Sequence, residues 1–147
     1  MRKFEKVSYD NSGIFPTRAD NGSAGYDLYT PERLVIEPGE IVKFKTNIKV
    51  NMLSDEVLML YVRSSIGIKR NLMLANGTGV IDSTYYNNPD NEGNIIGVLF
   101  NYGKETQIIE AGDRIMQGVF IKYLTIDDDK PLSNTRIGGI GSYYLWK

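Results

Sequence analysis

Short apolar runs separated by turn residues dominate this chain. In residues 41–50, apolar side chains recur at alternate positions, the period of a strand with one buried face. Residues 57–62 form a continuous apolar run, typical of a strand buried on both faces. Residues 95–102 and 115–126 are rich in the Ile, Val, Phe and Tyr that favour strands. No window carries a long helical stripe, and the one short helix predicted is Ser64–Arg70.

Turn-forming residues lie between these runs, at positions 37–40, 76–77, 87–93 and 110–113. The pattern predicts one all-β domain, a jelly-roll-like sandwich or barrel, over residues 1–132. Residues 133–147 differ, since they combine several glycines with clustered aromatic residues. We expect this tail to be mobile, and its aromatics either to pack on a neighbouring subunit or to close over a ligand.

Composition narrows the possible partners. The 147 residues fit a single domain, and 17 basic against 18 acidic residues give a net charge of -1. Proteins that coat nucleic acids or membranes usually carry a basic excess, so we expect neither partner. The apolar runs are far shorter than a membrane span of about 20 residues, and no signal-like segment opens the chain. The expected location is therefore cytoplasmic.

The chain contains no cysteine and no histidine. This excludes a thiol nucleophile, a Ser-His-Asp triad, an imidazole base and a Cys/His zinc site. Any catalysis must use carboxylates, Arg, Lys, Tyr, hydroxyls, backbone amides or a hard metal ion such as Mg²⁺ or Ca²⁺.

The most informative segment runs from Gly79 to Tyr85, with the sequence GVIDSTY. It reads as a short strand that stops at Asp82, followed three residues later by an aromatic ring. A carboxylate at a strand end has fixed geometry and can reach water, and a tyrosine can offer a flat apolar face. The segment therefore predicts a pocket for a ring-shaped ligand beside an activated water, although a structural turn aspartate fits the same residues.

This segment closely resembles the third motif of the trimeric dUTP diphosphatases (dUTPases) of bacterial or phage type. Four other segments match the family's remaining motifs in the right order. The five segments are residues 24–28, 63–67, 76–85, 112–117 and 136–142. The resemblance implies a homotrimer with the family's β-clip fold, in which each site draws on three chains. It also implies Mg²⁺-dependent hydrolysis of dUTP to dUMP and pyrophosphate, by attack of water on the α-phosphorus.

The resemblance also implies residue roles on the nucleoside side. Asp82 would be the catalytic residue, orienting and deprotonating the water and contacting the sugar 3′-hydroxyl. Tyr85 would pack on the deoxyribose and exclude a 2′-hydroxyl. The base would contact Asn76, Gly79 and Ile81.

On the phosphate side, the resemblance implies a set of donors and one metal residue. Asp27 would reach Mg²⁺ through water, Asp113 and Arg114 would organise the site, and Lys69 and Arg70 are expected to be solvated. The residues expected to bind phosphate are Arg63, Ser64, Ser65, Gly67, Gln117 and Arg136. Taken alone, these segments also fit a surface Arg beside a helix-capping Ser and a local Asp–Arg pair.

The tail would form a lid from Gly138, Gly139, Ile140, Gly141 and Ser142. Ile140 stands where the family has a Phe that covers uracil, so either the lid is weaker or Tyr143 or Tyr144 replaces the ring. Tyr86-Asn87 stands where the family often has a Gly, which puts the geometry of that turn in question.

Three alternatives remain at this stage. The nearest is a dCTP deaminase or a bifunctional enzyme of the same superfamily. Another is a nucleotide-responsive regulator that binds a protein partner, if the source is a phage. The collinear motifs disfavour a lectin-like or capsid-like jelly roll without catalysis.

Overall fold

The computed structural model describes residues 1–133, which form short antiparallel strands. The strands are β1 Lys3–Lys6, β2 Tyr26–Tyr29, β3 Leu34–Ile36, β4 Ile41–Lys45, β5 Ile48–Asn51, β6 Glu56–Val62, β7 Leu72–Leu74, β8 Gly79–Asp82, β9 Ile96–Asn101, β10 Gln107–Ile109 and β11 Arg114–Lys122. One α-helix, α1 Ser64–Arg70, and one 3₁₀ turn, Ser83–Tyr85, complete the regular structure of the described part. The predictions of an all-β domain and of the short helix are confirmed.

The strands pair into four sheets. The largest has the order β2-β11-β6-β8, and a three-stranded sheet has the order β4-β9-β7. Two further pairs join β1 to β5 and β3 to β10. The strand β8, which carries the most informative segment, is therefore an edge strand of the largest sheet.

One apolar core joins the two larger sheets. Leu58, Leu60 and Met116 of the four-stranded sheet are buried together with Phe44 and Leu99 of the three-stranded sheet. The removal of this apolar surface from water is the main force that holds the sheets together. The outer face of the four-stranded sheet remains partly open to solvent, where Tyr61 and Val80 are exposed.

The close approach of the two sheets requires a glycine. A Cβ on Gly97 of β9 would lie 2.3 Å from the Phe44 ring and 3.1 Å from the Met116 sulfur. A side chain at this position would have to displace the Phe44 ring of the same sheet and the Met116 side chain of the facing sheet.

Two predictions about individual strands are wrong. Residues 41–50 form β4 and β5 with different partners, because Asn47 takes a left-handed conformation (φ 58°) that ends the strand. The backbone N–H of Asn47 donates to Asn94 Oδ1 at 2.9 Å, a long-range contact that local periodicity does not reveal. In addition, residues 57–62 are not buried on both faces, since Tyr61 is 39% exposed. Within residues 1–133, no helix is long and apolar enough to cross a membrane.

Candidate active site

The carboxylate of Asp82 is held at the end of β8 by the turn that follows. Its Oδ1 accepts hydrogen bonds from the Thr84 N–H (3.0 Å) and the Thr84 hydroxyl (2.5 Å), so Asp82 caps the 3₁₀ turn. Among residues 1–133, no donor is bonded to Oδ2. One oxygen is thus fixed in place while the other can accept a hydrogen bond from water.

Tyr85 ends the same 3₁₀ turn and is only 7% exposed. Its hydroxyl donates to the backbone oxygen of Asn94 at 2.8 Å and accepts from the Asn91 side-chain amide at 2.8 Å. The ring is therefore fixed in position. In the described part of the chain, little of the apolar Tyr85 ring is therefore exposed for contact with a ligand.

The outer edge of β8 offers backbone hydrogen-bonding groups to the polar edge of a planar ligand. Among residues 1–133, β8 pairs with β6 alone, so alternate N–H and C=O groups along its outer side have no strand partner in this part of the chain. Gly79 lies against Leu60, where a Cβ would approach the Leu60 Cβ to 3.0 Å, and Ile81 packs against the core. Gly79 and Ile81 can thus contact a base through their backbone atoms, and Asn76 lies exposed in the preceding turn.

A positively charged cleft of about 420 Å³ lies at the other end of β6. Its lining residues are Arg63, Ser65, Ile66, Lys69, Arg70, Asp113 and Arg114. Four cationic side chains face one carboxylate, and the first turn of α1 contains no acidic residue. The N–H groups of Ser64 and Ser65 belong to the first turn of α1, where no helical acceptor exists. The cleft is therefore suited to a polyanion.

Lys69 and Arg70 line this cleft, although the sequence indicated a solvated role for both. The helical spacing of Ser65 and Lys69, and of Ile66 and Arg70, could have revealed it, because residues four apart share a helix face. Arg70 also donates to the backbone oxygen of Ile108 at 2.9 Å, which directs its side chain.

Asp27 lies between two guanidinium groups. Its Oδ1 is 3.2 Å from Arg63 Nε and its Oδ2 is 3.3 Å from Arg114 Nη1. The carboxylate is largely buried, with 12% of its side chain exposed, so these ion pairs are only partly screened by solvent. Asp27 therefore positions two of the cations that line the cleft.

Gln117 lies directly beside Asp27, as its cross-strand neighbour between β11 and β2. Its side-chain amide contacts the Val62 backbone oxygen at 3.4 Å. A Cβ on Gly25 would lie 2.6 Å from Gln117 Oε1, so the glycine leaves room for this side chain. The structure thus brings Asp27, Arg63, Arg114 and Gln117 together.

The structure does not support Gly67 as a phosphate donor. Its N–H already donates to the Arg63 backbone oxygen at 3.1 Å, and its carbonyl accepts from the Tyr102 hydroxyl at 2.5 Å. A Cβ at this position would approach Val62 to 3.3 Å, so the glycine allows α1 to pack closely on the end of β6. Gly67 thus has a packing role in the fold, and its contact with phosphate stays a prediction.

The two groups of residues do not meet within one chain. Asp82 pairs with Val57 at the start of β6, whereas Arg63 follows Val62 at its end. At about 3.3 Å per residue, the backbone positions of Asp82 and Arg63 are roughly 20 Å apart along the strand. The structure therefore does not bring Asp82 and Arg63 together within one chain. The predicted tail residues Arg136, Gly138, Gly139, Ile140, Gly141 and Ser142 lie outside the described residues.

Comparison with known proteins identifies the family. The dUTPase family model matches residues 11–143. This chain belongs to the dUTPase family. The deoxyuridine 5′-triphosphate nucleotidohydrolase of Lactococcus lactis is 45% identical over 145 residues, which cover 97% of each chain. The vaccinia virus dUTPase is 36% identical over 140 residues, covering 92% of this chain and 89% of its own.

Solved structures agree with this assignment. The crystal structure of the Streptococcus mutans dUTPase superposes with a TM-score of 0.79 at 44% identity, covering 85% of this chain and 98% of that one. The dUTPase of the Staphylococcus aureus phage phi11 has a TM-score of 0.76 at 22% identity, covering 90% and 97%, which shows a common fold alone. The predicted family, all-β dUTPase fold and enzyme class are thereby confirmed.

Proposed function

We propose that this dUTPase hydrolyses dUTP at sites shared between the subunits of a homotrimer. One observation carries the proposal: Asp82 and Arg63 lie at opposite ends of β6, roughly 20 Å apart. A shared site resolves this separation, because the Asp82 end of one chain can meet the Arg63 end of another. The resemblance to the trimeric dUTPases sets the number of subunits at three.

An apolar surface lies between the two ends and supports this assembly. On the outer face of the largest sheet, Met59 pairs with Val80 on one side and with Val119 on the other. Val80 is 60% exposed, and Tyr61 and Ile121 extend the same face with 39% and 47% exposure. Covering this face with a second copy would remove apolar area from water. A head-to-tail contact of this kind forms a closed ring when its rotation permits.

On the nucleoside side, the outer backbone edge of β8 contacts the uracil and Tyr85 borders the deoxyribose. The Oδ2 of Asp82 accepts a hydrogen bond from a water and takes its proton as the water oxygen attacks the α-phosphorus. Pyrophosphate leaves as the bond between the α-phosphorus and the bridging oxygen breaks. Holding the carboxylate through Thr84 keeps it aligned before substrate arrives, and such alignment lowers the barrier.

On the phosphate side, Arg63, Ser64, Ser65 and Gln117 donate to the leaving pyrophosphate, and Arg114 and Lys69 add positive charge. Arginine suits this task, because its fork of donors matches phosphate oxygens. These groups face the charge that grows on the leaving group, where electrostatic stabilisation is most effective. We include Arg136 among these phosphate donors because the resemblance to the dUTPases implies that role.

The residues present fit Mg²⁺ held through water. Both Asp27 oxygens already contact guanidinium groups, yet a carboxylate has further lone pairs that can accept from metal-bound water. Asp27 would therefore hold the hydration shell of an ion whose other ligands are phosphate oxygens. When bound, Mg²⁺ neutralises phosphate charge and orients the triphosphate. The structure of the phage phi11 dUTPase variant is described as coordinating a structural Mg(II) ion, which concerns that protein.

Release of pyrophosphate from dUTP, dCTP and dTTP, measured side by side with Mg²⁺ and with EDTA, tests this function. We expect release from dUTP only, and its loss with EDTA. Deamination of dCTP would instead support the alternative within the superfamily. Activity on dUTP from a species that sediments as a monomer would contradict the shared site.

A further inference from the structure

The loop after Tyr85 folds back onto that residue. Three of its residues have positive φ angles: Asn87 (55°), Glu92 (61°) and Gly93 (90°). Asn87 thus adopts the left-handed conformation at the position where the family often has a glycine, which asparagine tolerates better than most residues. A Cβ on Gly93 would lie 2.6 Å from the Tyr85 backbone oxygen, so only glycine permits this close return.

Two asparagine side chains connect the loop to Tyr85. The Asn88 amide donates to the Tyr85 backbone oxygen at 2.8 Å and to Asn91 Oδ1 at 2.9 Å. The Asn91 amide donates to the Tyr85 hydroxyl at 2.8 Å, and Asn91 Oδ1 also accepts from the Gly93 N–H at 3.0 Å. Asn91 therefore holds the far end of the Tyr85 side chain, while Asn88 holds its backbone.

A buried lysine connects the loop to the body of the domain. Lys49 on β5 has only 10% of its side chain exposed. Its ammonium donates to Asn87 Oδ1 at 2.6 Å and to Glu92 Oε2 at 3.0 Å. Glu92 also accepts from the N–H and the hydroxyl of Ser8. A buried charge that lost such a partner would be strongly disfavoured, so this contact keeps the loop in one place.

We propose that Asn91 is a positioning residue for the nucleoside pocket, with the Lys49–Glu92 pair as the anchor of the loop that carries it. The inference rests on the proposed function, in which Tyr85 and Asp82 border the nucleotide. Asp82 begins and Tyr85 ends the same 3₁₀ turn. A displaced Tyr85 therefore changes both the surface beside the sugar and the direction of the carboxylate. Asn91 should therefore affect how strongly the enzyme prefers a nucleotide that lacks a 2′-hydroxyl.

Two substitutions test the two ends of one hydrogen bond. Asn91→Asp keeps the oxygen that accepts from Asn88 and Gly93 but removes the donor to Tyr85, and Tyr85→Phe removes the hydroxyl. The kcat/KM for dUTP relative to that for UTP should fall by roughly 10-fold or more in each, since small displacements in an active site have large effects on rate. The double variant should lose little beyond the Tyr85→Phe variant, because Tyr85→Phe already removes the contact with Asn91 together with the bond from the hydroxyl to Asn94.

The matched control is Asn101→Asp. Asn101 ends β9 and is fully buried, and its amide donates to the carbonyl of Ile36 in β3 and to that of Glu105 in the turn after β9. This variant should lose thermal stability yet keep the dUTP to UTP ratio of the wild type. If Asn91→Asp also lost only stability and kept that ratio, a positioning role for Asn91 would be refuted.

Hydrogen exchange separates this inference from the proposed function. Asn91→Asp should speed amide exchange in residues 84–94 with no nucleotide present, whereas Asn101→Asp should not. Unchanged exchange there would refute the inference whatever the activity. Faster exchange in a protein that proves inactive on dUTP would support the contact between Asn91 and Tyr85 and would instead refute the function on which its catalytic meaning rests.

Discussion

Asp27 holds Arg63 through an ion pair of 3.2 Å between Oδ1 and Nε, and holds Arg114 through its other oxygen at 3.3 Å. One largely buried carboxylate thus separates two guanidinium groups that would otherwise repel each other. The two guanidinium groups outweigh this one carboxylate, so this part of the cleft stays positive while Asp27 directs both donors.

We predict that Asp27→Asn lowers kcat/KM for dUTP by roughly 10-fold or more, since hydrogen bonds between charged groups contribute about 1.5–3 kcal/mol. The Mg²⁺ concentration required for half-maximal rate should also rise. Steady-state kinetics over a Mg²⁺ titration measures both. Glu40→Gln, which removes one exposed carboxylate from the turn before β4, serves as the control and should change neither value.

Asp82→Asn keeps the size of the side chain and an oxygen that can accept from Thr84, but it removes the base. Turnover should fall by roughly 100-fold or more, in line with general-base contributions, while affinity for a non-hydrolysable dUTP analogue changes little. Single-turnover kinetics and calorimetry measure the two effects separately. Near-normal turnover in this variant would show that another group activates the water.

Stability in acid should depend on Glu92. Hydrogen bonds from the Ser8 hydroxyl and N–H and from Lys49 lower the pKa of the Glu92 carboxyl from 4.5 to about 2. Because the folded-state pKa is the lower one, this carboxylate stabilises the fold above the unfolded pKa, and that contribution is lost as the pH falls towards 2.

Glu92→Gln should therefore be less stable than the wild type near neutral pH, and the difference should shrink as the pH falls from about 4.5 to 2. Urea unfolding across this range gives the comparison. A difference that stays constant down to the lowest pH would mean that Glu92 gains nothing from its partners in the fold.

The local sequence was sufficient to predict those elements whose structure depends on neighbouring residues alone. The strand Gly79–Asp82 could be predicted from its apolar residues. The helix α1 could be predicted from the residues that come directly after β6. The break at Asn47 could not be predicted, because its partner Asn94 is 47 residues away. The same holds for the contacts of Asp27 with Arg63 and Arg114, which depend on the order of the strands in the sheet.

For the site, too, the sequence predicted some features and missed others. The motifs indicated which side chains carry the chemistry, but not that Asp82 lies beside the start of β6 while Arg63 follows its end. That relation depends on the register of β8 against β6, in which Asp82 pairs with Val57. Register depends on which strand faces are buried and on the turns that join the strands. Because α1 and β7 lie between β6 and β8, no single turn determines the register of this pair. Gly67 matched the motif, yet the structure gives it a packing role beside Val62.

The shared site is tested most directly by complementation between two inactive variants. Asp82→Asn and Arg63→Ala chains with different affinity tags are co-expressed, and trimers that carry both tags are assayed on dUTP. If each site takes Asp82 and Arg63 from different chains, each trimer that carries both tags has one restored site, so we expect about a third of the wild-type activity in these trimers. Asp82→Asn co-expressed with the Asp82→Asn/Arg63→Ala double variant must stay inactive. Mixed trimers without activity above that control would contradict the shared site. Such a result would mean that each site takes Asp82 and Arg63 from the same chain.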